Sequence, residues 1–219
     1  MNIYAAIAFG IFGIGLGWLI PAIADKIVIF KNKKRNVETI VWRFDGKPLM
    51  VLLAILNGLL WAYAGLSVKS IPLAFFVALI FTLAILISVI DLRIRLIPNE
   101  LLLFILIPGA AFQLLYFGRT ALFVAATCGI AVGLIFTAVA GIMGFGKVGA
   151  GDVKLSAIMG FVLGYPHILV GLIGMSAALL IYCSVGLVTR KLKLNSMFAF
   201  APFMMLGTIF ALVYSITSI

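Results

Sequence analysis

Carboxylates are scarce in this chain. Its 219 residues include six, Asp25, Glu38, Asp45, Asp91, Glu100 and Asp152. Histidine occurs once, at His167, and cysteine twice, at Cys128 and Cys183. With no CxxC pair, a structural zinc site or disulfide framework is not indicated. Each cysteine lies inside an apolar run and reads as a small buried hydrophobe. A lone histidine leaves little for a Ser/His nucleophile or a histidine metal site. His167 stands in Gly164-Tyr165-Pro166-His167, between two apolar runs, and is expected in an interfacial loop remote from any acidic partner.

Charged residues make up only 10% of the chain, while 65% is hydrophobic. A soluble domain of this size cannot hide that much apolar surface in one core. A bilayer can, since a crossing of about 30 Å takes roughly 20 apolar residues. The spacing of the runs predicts spans near 3–24, 49–66, 71–90, 100–117, 120–143, 153–165, 167–189 and 196–217. The fold expected is all-α, a polytopic bundle of about eight spans. The sixth is short and begins in a glycine-rich stretch, so it is expected to be tilted or partly re-entrant. The first run lacks a basic region ahead of it and is too long for a signal core, which makes it a retained span.

The net charge of +10 does not point to nucleic acid, because the basic residues fall in short loops between apolar runs. Lys26, Lys31, Lys33, Lys34, Arg35, Arg43 and Lys47 follow the first run; Arg93 and Arg95, Lys147 and Lys154, and Arg190, Lys191 and Lys193 follow on the same side. Only Lys69 and Arg119 fall opposite. The basic side is the expected cytoplasmic side of a cell membrane, where it also suits anionic headgroups. No linker divides the chain, so residues 1–219 are expected to form a single membrane-embedded domain. Segment 25–48, with Trp42 and Phe44 among its basic residues, reads as an interfacial piece. Asp25, Glu38 and Asp45 balance charge within it.

Asp91 ends the apolar run Phe75–Ile90 and opens Asp91-Leu92-Arg93-Ile94-Arg95-Leu96-Ile97-Pro98-Asn99-Glu100. Pro98 stops one helix and suits the start of another, so this stretch reads as a tight connection. Glu100 then sits in a first helical turn, favoured by the helix dipole. Asp152 stands in Gly149-Ala150-Gly151-Asp152-Val153-Lys154-Leu155. The two glycines allow unusual backbone angles or close approach; Asp152 could also serve as a helix N-cap. Both aspartates fall on the basic side at one depth. Carboxylates at the edge of hydrocarbon are costly and by default functional. Two that share a site hold one proton between them, which provides a general base and a general acid for adding water to a peptide carbonyl.

These two motifs resemble those of the type IV prepilin peptidase family, aspartic proteases with a GxGD signature. Asp91 followed by Ile97-Pro98-Asn99 is similar to the family's first catalytic segment, and Gly149–Leu155 has the form GxGDxKL of the second. Phe200-Ala201-Pro202-Phe203, with Gly207, resembles the proline-containing last span. The resemblance runs from about residue 50 to the end. It implies Asp91 and Asp152 as the catalytic pair, with Gly149, Gly151, Lys154, Pro98 and Asn99 around the substrate peptide. It implies a prepilin or pseudopilin substrate, cut at the cytoplasmic face between a basic leader and a hydrophobic helix, with no metal or cofactor. Many bacterial members carry a larger zinc-binding domain with CxxC pairs after the first span and methylate the new N-terminus. Here 25–48 replaces that domain without a cysteine, so S-adenosylmethionine chemistry is not expected. The oligomeric state is left open.

Other readings fit less well. Presenilin-like proteases also use GxGD, but a tyrosine precedes their first aspartate and their last motif is Pro-Ala-Leu. Here Ile90 precedes Asp91, and Phe203-Met204 follow Pro202. A proton- or cation-coupled transporter would place its carboxylates near mid-membrane, between matching halves. A structural assembly protein keeping only the fold is a third reading.

Overall fold

A computed structural model describes residues 3–35, 46–143, 149–190 and 199–217. Eight helices account for most of these, and no strand occurs among them. They are α1 (Ile3–Arg35), α2 (Lys47–Ser67), α3 (Ile71–Ile94), α4 (Asn99–Phe112), α5 (Arg119–Met143), α6 (Ala150–Leu163), α7 (His167–Val188) and α8 (Ala201–Thr217). A single π-helical turn, Gln113–Phe117, prolongs α4 and ends at Gly118, whose φ of 91° suits glycine. The polytopic helical bundle expected from composition is thus the observed fold. Glu38, Trp42, Arg43, Phe44, Asp45, Lys147, Lys191 and Lys193 lie outside the described residues.

Among the described residues, six segments are long and apolar enough to cross a bilayer: α1, α2, α3, α4 with its π turn, α5 and α7. The 14 residues of α6 rise about 21 Å, short of the hydrocarbon thickness. The shortness expected of the sixth run is therefore real. The last run is also shorter than predicted, starting at Ala201 and covering 17 residues.

The larger difference is at α1. Its helix does not stop at residue 24 but continues to Arg35. The charges that follow Ile23 mark where the helix leaves the apolar zone, and no glycine or proline is present to end it. Ala24, where this extension begins, and Val28 within it are fully buried. Asp25 therefore does not belong to a solvated loop.

At the centre stands α3, with a mean hydropathy of 3.0 and buried residues all round its circumference. It packs against α1, α2, α4 and α8. Small residues let α1 and α2 approach closely; a Cβ at Gly17 would fall 2.7 Å from the Ala54 Cα. A polar chain then ties this pair to α3. The Asn57 amide donates to the Gly13 carbonyl (2.8 Å), Thr82 donates to Asn57 (3.0 Å), and the Trp61 indole donates to Thr82 (2.8 Å). Short as it is, α6 is held by α4, α5, α7 and α8. Gln113 of the π turn donates to the Val162 carbonyl at 2.8 Å, anchoring the far end of α6.

Candidate active site

The site forms where α3 ends and α6 begins. Arg95 closes α3 in the left-handed conformation (φ 47°), with its N–H on the Asp91 carbonyl at 2.8 Å. A short extended stretch follows, because the residue before a proline avoids the helical region. Pro98 then caps α4, and Asn99 is its first residue. This places Asp91 in the last turn of α3, 4% exposed. A carboxylate at a helix C-terminus faces the negative end of the dipole, so it needs donors from elsewhere. Asp91 Oδ2 accepts the N–H of Ala201, the first residue of α8, at 3.1 Å. Arg95 adds a positive field.

Asp152 lies in the first turn of α6, ahead of that helix's apolar stretch. The N-cap is Gly149, so the capping role considered for Asp152 does not apply. Instead Asp152 reaches back to the backbone of Gly149, the position-three half of a capping box. Gly149 has ordinary extended angles (φ −67°, ψ 134°), so unusual backbone geometry is not its use. Its use is space: a Cβ there would stand 3.0 Å from Asp152 Oδ2.

Four contacts join the two motifs. Gly151 presses on Ile97, where an added Cβ would come within 3.2 Å of the Ile97 Cβ. Lys154 donates to the Asn99 side chain at 3.1 Å. α6 packs on α4. The fourth is electrostatic: burial, and then the charge of Asp91, push the Asp152 carboxyl up to about 6. Asp91, Asp152, Gly149, Gly151, Lys154 and Asn99 are thereby gathered at one place, with buried Pro98 setting the turn beside them. His167 heads α7, beyond the opposite end of α6, with its ring 5.3 Å from that of Phe117. Cys128 and Cys183 are free and partly buried.

The α8 backbone donor was not foreseen from sequence. The available signal was Pro202, which marks a helix start and hence free N–H groups just ahead of it. Glu100 does occupy a first turn, as its position predicts, but it also pairs with Lys31 of α1 at 2.7 Å.

The description "Type IV leader peptidase family" matches residues 78–217. The chain belongs to that family. The match takes in both aspartates and every residue gathered around them, while α1, α2 and the start of α3 precede it. A prepilin leader peptidase/N-methyltransferase of Bacillus subtilis (strain 168) is 33% identical over 150 residues, covering 68% of this chain and 58% of that protein. The chain thus spans well under two thirds of that relative's length. No solved structure matches.

Proposed function

We propose that this family member is a cell-membrane aspartic endopeptidase that removes the basic leader of prepilins or pseudopilins at the cytoplasmic face. The observation carrying this reading is the meeting of the Asp91 and Asp152 motifs, joined by the Gly151–Ile97 contact and the Lys154–Asn99 hydrogen bond. The excess of basic residues on the same side supports the cytoplasmic orientation.

The surroundings suggest separate roles. Asp91, holding the Ala201 N–H, is the proton acceptor. Asp152, pushed up to about 6, is the donor. Asp91 takes a proton from water as the water oxygen bonds to the scissile carbonyl carbon. The Asp152 proton passes to the carbonyl oxygen. As the resulting diol collapses and the C–N bond breaks, the proton held by Asp91 goes to the departing amine and one diol hydroxyl returns its proton to Asp152, which leaves a carboxylic acid and restores the pair. Gly149 and Gly151 leave room for an extended peptide beside Asp152, and Lys154 with Asn99 lines its path. No metal or cofactor takes part in these steps. We further propose that N-methylation is absent, because 25–48 contains no cysteine and is too short for a domain with its own core.

The test is cleavage of a prepilin by the purified protein in detergent or liposomes, followed by mass spectrometry. Leader removal by wild type but not by Asp91→Asn supports the reading; equal cleavage by both sinks it. An unmodified product N-terminus in the presence of S-adenosylmethionine fits the absence of methylation.

A further inference from the structure

The extension of α1 beyond its apolar run touches the catalytic connection at two points. The Arg93 guanidinium donates to the Asp25 carboxylate. The Arg93 side chain is only 2% exposed and that of Asp25 is 32% exposed. Two turns further along α1, Lys31 Nζ lies 2.7 Å from Glu100 Oε1, with the two side chains 18% and 59% exposed. Ala24, just ahead of Asp25, and Val28, between the two contacts, are buried. Arg93 stands two residues after Asp91, and Glu100 follows Asn99, which receives Lys154. In the middle of the same stretch Ile97 meets Gly151. The connection from Arg93 to Glu100 is therefore held at both ends by α1 and in the middle by α6.

We propose that this part of α1, residues 24–33, is a brace that sets the separation of Asp91 and Asp152, with Asp25 and Lys31 as positioning residues. The brace lies ahead of the stretch matched by the family, so it is a device of this chain's N-terminal region. The two ion pairs are unequal. Breaking a pair whose guanidinium is buried is costly, whereas an exposed pair contributes little. Asp25 therefore dominates. Small displacements of catalytic groups cost rate steeply, so the effect falls on kcat.

The inference of an effect on rate rests on the protease reading, and two readouts separate the two. The first is prepilin cleavage by wild type, Asp91→Asn, Asp25→Asn, Asp25→Glu, Lys31→Gln, Arg93→Gln and the Asp25→Asn/Arg93→Gln pair, each normalised to its folded fraction. Asp25→Asn is expected to lower kcat about tenfold with KM little changed. Asp25→Glu should recover part of this, and Lys31→Gln should lose about two- to threefold. The double variant should lose less than the product of the two single losses, because both changes break the same contact. An unchanged kcat, a loss confined to KM or to the folded fraction, or additive single effects would overturn the brace. The second readout needs no activity. Spin labels are placed at Leu96→Cys and Ala150→Cys in a chain whose Cys128 and Cys183 are changed to serine. One narrow distance distribution is expected, broadening in Asp25→Asn; the same distribution in both overturns the brace even if no prepilin is cleaved. If Asp91→Asn cleaves like wild type, the protease reading fails and the spin-label result alone decides the brace.

Discussion

Asp91 and Asp152 occupy opposite kinds of helix end. Asp91 is in the last turn of α3, where its own helix disfavours negative charge, and its donor comes from α8, a helix more than a hundred residues later in the chain. Asp152 is in the first turn of α6, where the dipole favours a carboxylate, yet burial and the neighbouring aspartate outweigh that benefit and push it up to about 6. A helix end thus does not by itself set the acidity of a carboxylate; at Asp152 burial and the neighbouring charge outweigh it. On the proposed mechanism this asymmetry assigns two chemically identical side chains to different halves of one reaction.

The comparison breaks most severely where the two sides touch. Gly151→Leu puts a branched side chain into a position already within 3.2 Å of Ile97 at the Cβ, and it must push α6 away from the 91–99 connection. A loss of about 100-fold in kcat is expected, measured by single-turnover cleavage. Gly151→Ala should lose less.

Acidity sharpens the comparison next. The Asp152 carboxyl, raised to about 6, is protonated below that pH and ionised above it. A proton donor is lost on ionisation, so kcat/KM should fall as pH rises through about 6, approaching tenfold per unit beyond it. Since the charge of Asp91 is the second cause of the rise, Asp91→Asn should move the Asp152 midpoint downward. The carboxylic C=O stretch that disappears in Asp152→Asn reports this directly.

The smallest effect is expected at the polar link. Lys154 and Asn99 are both exposed, so their contact adds little to stability. Lys154→Met should slow cleavage only a few-fold, chiefly through KM, as compared in steady-state assays of the two proteins.

Much of the frame was legible beforehand because hydropathy reports which segments fit hydrocarbon. The cores of α3, α5 and α7 fall where the apolar runs predict. Hydropathy does not report helicity, so it does not distinguish the charged continuation of α1 from a loop. Asp91 and Asp152 were visible for a related reason: a carboxylate abutting a long apolar run is out of place unless it has a task. The supports of the pair were not visible. The Ala201 donor is a backbone N–H, which has no residue-type signature. Asp25, Lys31, Arg93 and Glu100 were seen as charges, but the pairing of residues 68 and 69 positions apart is a product of tertiary packing.

The most direct measurement of the central claim compares single-turnover prepilin cleavage by Asp91→Asn, Asp152→Asn and the double variant, all shown to be folded. Residues that share one proton act as a unit, and their losses do not add. The account predicts that each single change reduces cleavage by at least about 1,000-fold and that the double variant is no slower than either. Near wild-type cleavage by either single variant, or losses that multiply in the double variant, would contradict it.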